Sequence, residues 1–249
     1  MRLIFANFLN ELQKLGKRKK YMVFLIIEIA VCLISALTSM LMTRVLQANN
    51  FILNPSTMSL SVLTFFIDIM IPLIAFMAAT DTFSTEFQDK SIKGILVRPI
   101  SRMKIYVSKT LAVSALAVFN LIAVFLVATV LELLTTGGVI AFVHSFAAYL
   151  LDIVPLCVLI LMAVFINQFG KSSTLSMFLC IIIYVILKIV GIFVPQTSGL
   201  LFTGYTQWHN LWLGLTLPFG AMTSKIALLA GYGVVFFCGG YYLFAKREF

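Results

Sequence analysis

The chain of 249 residues is 61% hydrophobic and only 11% charged, and its mean hydropathy is +1.08. Soluble domains are about 45–50% apolar and about 25% charged, so this composition excludes a soluble enzyme, a disordered tail and a disulfide-stapled secreted module. The net charge of +9 does not require nucleic acid as a partner, because basic residues also collect in the cytoplasmic loops of membrane proteins. The composition predicts an all-α polytopic membrane protein.

The first twenty residues predict an amphipathic helix that lies in the membrane interface. Apolar positions between residues 3 and 15 fall near one helical face, whereas Glu11 and Lys14 fall on the opposite face. This segment is too polar to cross the bilayer, and the basic run Lys17–Lys20 suits anionic headgroups. Residues 1–20 are therefore expected to anchor the chain at the inner leaflet, or also to brace a cytoplasmic partner.

Six apolar runs follow, each long enough to cross a hydrocarbon core of about 30 Å as a helix. Helices are required because backbone groups in lipid must bond within their own segment, and the runs lack the alternation of barrel strands. No internal repeat or linker divides the chain, which predicts a single transmembrane domain over residues 1–249. The predicted spans are residues 21–43, 60–80, 111–131, 146–166, 174–194 and 226–245.

The distribution of basic residues predicts the orientation. If the N-terminus is cytoplasmic, fifteen of the eighteen Lys and Arg residues fall on the cytoplasmic side, while Lys188 lies inside the fifth span. The outer loops then hold only Arg44 and Lys225. Because cytoplasmic loops carry the excess of Lys and Arg, both termini are expected in the cytoplasm.

No catalytic, metal-binding or nucleotide-binding motif is present in the sequence. His144 and His209 lack metal-ligand spacing. The string Gly170–Ser172 resembles the end of a phosphate-binding loop, but the earlier glycine of that motif would fall at Phe165, inside a span. We interpret the string as a tight turn with Ser172 or Ser173 capping the fifth span. The four cysteines have no paired spacing and lie in apolar runs, as buried hydrophobes: Cys32, Cys157, Cys180 and Cys238.

The connection between the second and third spans, residues 81–110, is too long for a simple linker and has the pattern of a short helix. Proline at position 99 ends that helix, because the residue before a proline avoids the helical region. Glu86 and Asp89, then the string Arg98–Arg102 (Arg-Pro-Ile-Ser-Arg), then Lys109 resemble the cytoplasmic loop of ABC-2-type permease subunits. The resemblance covers essentially the whole chain.

This resemblance implies an ABC-2 fold of the type V exporter kind, with an interfacial helix, six spans and no enzyme site of its own. ATP and Mg²⁺ would be bound by two cytoplasmic ATPase subunits, and a second permease copy would complete a homodimer or heterodimer in a bacterial cytoplasmic membrane. The short helix would couple ATPase motion to the second and third spans, or it would simply lie on the inner leaflet. The coupling residues that the resemblance implies are Glu86, Phe87, Asp89, Ile92, Leu96, Arg98 and Arg102.

Four ionisable residues fall within the predicted spans: Glu28, Asp68, Asp152 and Lys188. A charged side chain at mid-helix costs about 2.5–3.5 kcal/mol on insertion scales, so these residues should face protein or a wet cavity. All but Glu28 share the outer third of the membrane, where a carboxylate–ammonium pair is expected, for example Asp152 with Lys188. The charges would pair helices, or they would line the path of a polar or cationic part of a substrate.

Both tryptophans, Trp208 and Trp212, lie in the last outer connection, residues 195–225. Their helical spacing predicts a short interfacial or re-entrant helix, which would act as an outer lid or only as part of an aromatic belt.

These features predict the membrane subunit of an ATP-driven exporter for a hydrophobic or amphipathic substrate, such as a peptide toxin, a bacteriocin or an antibiotic. The small size resembles exporters of phenol-soluble modulins. The alternative is a proton-coupled secondary transporter that uses Asp68, Asp152 and Glu28 as proton carriers, although such transporters usually show an inverted repeat. No nucleic-acid partner is expected.

Overall fold

A computed structural model describes residues 2–47, 58–89, 100–136, 142–170, 172–194, 196, 199–213 and 219–247. These residues are almost entirely helical. In chain order the helices are α1 (Arg2–Gly16), α2 (Lys19–Gln47), α3 (Met58–Phe65), a π-helix (Phe66–Met70), α4 (Ile71–Thr82), α5 (Ser84–Gln88), α6 (Arg102–Thr136), α7 (Phe142–Leu151), α8 (Ile153–Asn167), α9 (Ser173–Phe193), a 3₁₀ turn (Phe202–Tyr205), α10 (His209–Leu213) and α11 (Phe219–Lys246).

Six helical segments of the described chain are long and apolar enough to cross a membrane, which confirms the predicted polytopic fold with its additional N-terminal helix. Several helices extend beyond the apolar runs. The longest, α6, has 35 residues, which is about 52 Å at 1.5 Å per residue and exceeds the hydrocarbon core. The reason is that a helix continues into the headgroup region wherever caps, prolines or turns do not end it.

The second span is interrupted by the π-helix, which contains Asp68. Pro72 stands in the first turn of α4, and a proline has no N–H to donate to the carbonyl four residues earlier. That carbonyl belongs to Asp68, and it accepts a hydrogen bond of 2.9 Å from the Tyr184 hydroxyl of α9 instead. The proline thus frees a backbone carbonyl next to the acid, and a neighbouring helix satisfies it.

The fourth span is interrupted in the same way. Helix α7 ends at Leu151 and α8 begins at Ile153, so that Asp152 occupies the turn between them. Pro155 follows in the first turn of α8, where its missing N–H is tolerated. Each intramembrane aspartate therefore lies at an irregular point of its span.

The second and fourth spans form the core of the bundle, since most of their side chains are buried. Few side chains of the first, fifth and sixth spans are buried, as expected for helices that face lipid. Helix α9 begins with Ser172 as its N-cap, whose hydroxyl accepts a hydrogen bond of 3.3 Å from the Leu175 backbone N–H. This confirms the predicted cap at Ser172, while Lys171 of the glycine-serine string lies outside the described residues.

Two ends of the bundle differ in chemistry. One, which we call the basic end, holds α1, α5, the start of α6 and the last turn of α11, with Lys14, Lys109 and Arg247. The other, which we call the lid end, holds residues 199–213 packed over the π-helix and the α7–α8 turn.

Candidate functional site: a coupling region at the basic end and a lid at the opposite end

At the basic end, two glutamates and two lysines from three helices form one cluster. The Lys109 ammonium of α6 lies 2.6 Å from Glu86 Oε2 of α5 and 3.2 Å from Glu11 Oε2 of α1. Lys14 of α1 lies 2.9 Å from Glu11 Oε1 and 3.1 Å from Glu86 Oε1. Lys109 is 0% exposed, and it also donates to the Thr82 carbonyl at 3.2 Å. The cluster ties the interfacial helix to the second and third spans.

Lys14 of this cluster is stabilised in its charged form by the glutamates. Burial disfavours the charged form of Lys14, but the hydrogen bond to Glu11 and the negative charges of Glu86 and Glu11 outweigh it, and the pKa of Lys14 lies above its ordinary value. The sequence pattern assigned Glu11 to the solvated face of α1, and this was wrong: its residue surface is only 5% exposed. The reason is that Lys109 on α6 provides a buried cation, which the α1 pattern alone cannot reveal.

A second cluster fixes the turn between α1 and α2 to the end of α4. Asp81 accepts a hydrogen bond of 2.6 Å from the Tyr21 hydroxyl and lies 2.9 Å from the Arg18 guanidinium. Its carboxylate also lies 2.6 Å from the Lys20 ammonium. Two residues of the basic run Lys17–Lys20, which was predicted to bind headgroups, therefore form ion pairs within the protein.

Helix α5 is the described part of the predicted coupling segment, and it is tightly held. Ser84 is buried, with its hydroxyl 2.8 Å from Asn167 Oδ1 and 2.7 Å from Ser176 Oγ. Phe87 is half-buried between the Phe244 ring, 6.2 Å away, and the Arg247 guanidinium, 4.1 Å from the ring centroid. The short helix is thus fixed to four of the six spans.

Among the predicted coupling residues, Glu86 is buried at 9% exposure and its carboxylate accepts a hydrogen bond of 2.6 Å from Lys109 within the chain. A substitution at Glu86 would therefore disturb the packing of this chain as well as any docked partner. Gln88 and Asp89 are the exposed residues at this end of α5. Arg102 is exposed and donates to the Ala245 carbonyl of α11. Three further predicted coupling residues lie outside the described residues: Ile92, Leu96 and Arg98.

At the lid end, Asp68 binds one cation and two polar groups of the lid. The Lys188 ammonium of α9 lies 2.7 Å from Asp68 Oδ1, and the Thr206 hydroxyl donates to the same oxygen at 2.6 Å. The Gln207 amide donates to Asp68 Oδ2 at 2.8 Å. Both charged side chains are 26% exposed, so the cluster lies at the edge of the bundle interior rather than deep inside it.

Asp152 binds the lid at a second point. The His209 backbone N–H donates to Asp152 Oδ1 at 2.8 Å, and His209 Nδ1 lies 2.7 Å from Asp152 Oδ2. Both residues are buried. The proposed pairing of Asp152 with Lys188 was therefore wrong: Lys188 binds Asp68, and His209, which the sequence had not singled out as a binding residue, is the partner of Asp152.

Of the two tryptophans of the lid, one is buried and the other lies at the surface. Trp208 is 2% exposed and meets the Tyr205 ring edge to face at 6.0 Å, whereas Trp212 is 37% exposed and stacks on Trp208 at 6.3 Å. The only signal for His209 in the sequence was its position next to Trp208, inside the predicted short helix. The lid is a packed part of the bundle and not merely a belt at the headgroups.

Glu28 is the remaining predicted intramembrane charge. It is 2% exposed and packs between α2 and α6, and neither carboxylate oxygen has a hydrogen-bond partner among the residues that the structure describes. The four intramembrane charges thus separate into one ion pair, one histidine–aspartate pair and one isolated acid.

Comparisons with known proteins agree with this architecture. A family model described as "ABC-2 family transporter protein" matches residues 8–188. The chain is also 23% identical to the membrane protein YdbK of Bacillus subtilis (strain 168), which is described as uncharacterized, over 194 residues that cover 73% of this chain and 79% of YdbK.

Proposed function

We propose that this chain, which belongs to the ABC-2 family of transporter proteins, is the membrane subunit of an ATP-driven exporter. ATP and Mg²⁺ are bound by two separate cytoplasmic ATPase subunits, and this chain contributes the membrane path without an enzyme site of its own. A second permease copy, identical or related, completes the complex in a bacterial cytoplasmic membrane. Family membership favours this proposal over a proton-coupled secondary transporter.

The orientation follows from charge. The basic end is the cytoplasmic end, since it gathers most of the Lys and Arg residues and since cytoplasmic loops carry this excess. The described residues near both termini lie at this same end, because Lys14 of α1 and Arg247 after α11 both contact α5. The lid end then faces the outside of the cell.

The position of α5 is the observation that carries the proposal. Its buried side chains, Ser84 and Glu86, bond to α8, α9, α1 and α6, while Gln88 and Asp89 are exposed. A rigid body that is held on several spans and exposed at one end transmits a push from a cytoplasmic partner to the spans together. An ATPase that docks on this end would move the bundle.

The lid gives the exporter its exit gate. Two hydrogen bonds to Asp68 and two contacts to Asp152 hold residues 206–209 over the second and fourth spans. The lid can open only if these contacts break. ATP-driven motion at α5 would therefore have to reach the π-helix at Asp68 and the α7–α8 turn at Asp152. The apolar walls of the bundle suit a hydrophobic or amphipathic substrate, and a peptide toxin, a bacteriocin or a peptide antibiotic is the class that we propose.

Charge reversal at the exposed end of α5 tests this function. Asp89→Arg should weaken copurification with the coexpressed partner ATPase and reduce coupled transport in proteoliposomes at least about tenfold, the effect of losing about 1.4 kcal/mol of docking free energy. The protein should still insert and keep its melting temperature, because surface substitutions usually change stability by no more than about 0.5 kcal/mol.

Asn10→Arg is the matched control, since it adds a positive charge to an exposed position of α1 at the same end. It should leave docking and transport unchanged. Normal copurification and transport in Asp89→Arg would refute docking at this end of α5. Transport that proceeds without any ATPase would refute the exporter itself.

A further inference from the structure

We propose that Glu28 is a proton-binding site inside the first span, held as a neutral carboxylic acid between α2 and α6, and that it is the residue at which a hydrophobic carbodiimide modifies this protein. This site is separate from the coupling region and from the lid. Its test needs neither ATP nor a transported substrate.

The surroundings of Glu28 are apolar on every described side. The residue is 2% exposed, and both carboxylate oxygens lack a hydrogen-bond partner in the described part of the chain. The neighbouring cavity has a volume of about 10 Å³, no more than a single water molecule needs. Besides Glu28 it is lined by Leu25, Ile29, Cys32, Ala123, Val124 and Val127.

Within the described part of the chain, the cavity beside this acid contains no cation that could offset a charge on it. Among the lining residues only the thiol of Cys32 is titratable, and α6 presents only alanine and valine to the cavity. Helix α3, which also packs on α2, contains no titratable residue. Helix α1 packs on the start of α2, and its Glu11 and Lys14 are bound in the basic-end cluster.

The other two intramembrane acids differ in this respect. Asp68 lies 2.7 Å from the Lys188 ammonium, and Asp152 lies 2.7 Å from His209 Nδ1. Removing an ionised carboxylate from water without a partner costs far more than removing the neutral acid. Glu28 therefore differs from Asp68 and Asp152 in having no polar partner among the described residues. Any motion that opens the α2–α6 contact to water would let Glu28 ionise and release a proton.

A hydrophobic carbodiimide reports this state directly, because it partitions into the membrane and reacts with the protonated carboxyl group. The carboxyl proton moves to one carbodiimide nitrogen while the carboxylate oxygen bonds to the central carbon, which gives an O-acylisourea. The acyl group then migrates from oxygen to nitrogen and forms a stable N-acylurea. The product contains every atom of both reactants, so no oxidant or leaving group is required.

The experiment treats the purified protein in liposomes at pH 7 with dicyclohexylcarbodiimide and maps the adducts by mass spectrometry. We expect adducts at Glu28 at least about tenfold more abundant than at Asp68 or the exposed Asp89, because an ordinary carboxyl group has a pKa near 4 and is almost fully ionised at this pH. In Glu28→Gln the major adduct should disappear.

A positive control keeps the assay informative. Lys188→Met removes the ammonium group from Asp68, and Asp68 should become reactive in that variant while Glu28 labelling stays the same. Absence of an adduct at Glu28 in the wild-type protein would overturn the proposal, as would equal labelling of Glu28 and Asp89. Since wild-type protein carries the decisive measurement, a folding defect of a variant does not affect the result.

Discussion

At the scale of single residues, Asp68 shows how an irregular backbone and a charge act together. The π-helix and Pro72 free the Asp68 carbonyl, which accepts a hydrogen bond from Tyr184, and the carboxylate binds Lys188 together with the lid. π-Helical turns occur frequently at functional sites. The Asp68 carboxylate is bound by both α9 and the lid, so its removal should loosen both of them.

Replacing Lys188 should destabilise the protein by leaving the Asp68 carboxylate without its cation. We expect Lys188→Met to cost about 1–3 kcal/mol of unfolding free energy, the usual range for a hydrogen bond to a charged group, because the pair is partly exposed. Thermal unfolding in detergent measures this loss. The double variant with Asp68→Asn should recover much of it.

Asp152→Asn serves as the comparison for this pair. Asp152 is bound to His209 and not to Lys188, so its coupling energy with Lys188→Met should be clearly smaller than that of Asp68→Asn. Strong coupling between Lys188 and Asp152, with none between Lys188 and Asp68, would contradict the observed pairing.

At the scale of helices, α5 owes its rigidity to a lysine that is buried in a span. Lys109 is 0% exposed and lies between Glu11 of α1 and Glu86 of α5. Removing one partner from a buried ion pair is more damaging than the net stability of the pair suggests, because the remaining charge stays buried and uncompensated. Lys109 therefore joins α1, α5 and α6 at the end of the bundle where we propose that an ATPase docks.

Lys109→Met should accordingly lower the unfolding free energy, by an amount toward the low end of the roughly 3–5 kcal/mol that breaking a buried pair costs. Glu11 and Glu86 lose their buried cation and keep the half-exposed Lys14, so the melting temperature should fall and α5 should be cleaved more easily by protease. Lys104→Met is the matched control, since Lys104 is an exposed residue of the same helix. A similar melting temperature for both variants would contradict a structural role of the Lys109 cluster.

At the scale of the whole molecule, the two ends of the bundle are built for different tasks. Side chains of α1, α5 and α6 form the dense network of the basic end, while residues 199–213 cover the lid end through Asp68 and Asp152. Between them the second and fourth spans form the buried core. These two spans connect the ends, and each of them is irregular at its aspartate, while α9 also contacts both ends through Ser176 and Lys188.

The proposed orientation is tested by cysteine labelling in a variant without native cysteines. A membrane-impermeant maleimide should label Asn210→Cys, an exposed lid position, in intact cells. The same reagent should label Asn10→Cys on α1 only after lysis, because the excess of basic residues predicts that this end is cytoplasmic. The reverse pattern would invert the topology and with it the proposed direction of export.

The chain of residues by itself determined the membrane class, the six spans and the interfacial helix. Each of these follows from run length and periodicity, since the bilayer thickness sets how many apolar residues a helix needs. The string from Arg98 to Arg102, with Glu86, Asp89 and Lys109, was enough to point to the family. The aspartates were recognised as residues that need partners, because an unpaired charge in lipid is costly.

Only the tertiary structure decided which partners these residues have. Depth along the membrane placed Asp68, Asp152 and Lys188 in one layer, but the rotation and packing of the helices determine which side chains meet. They bring Lys188 to Asp68, and the folding back of the lid brings His209 to Asp152. The burial of Glu86 has the same origin, because its partner Lys109 faces inward from a different helix.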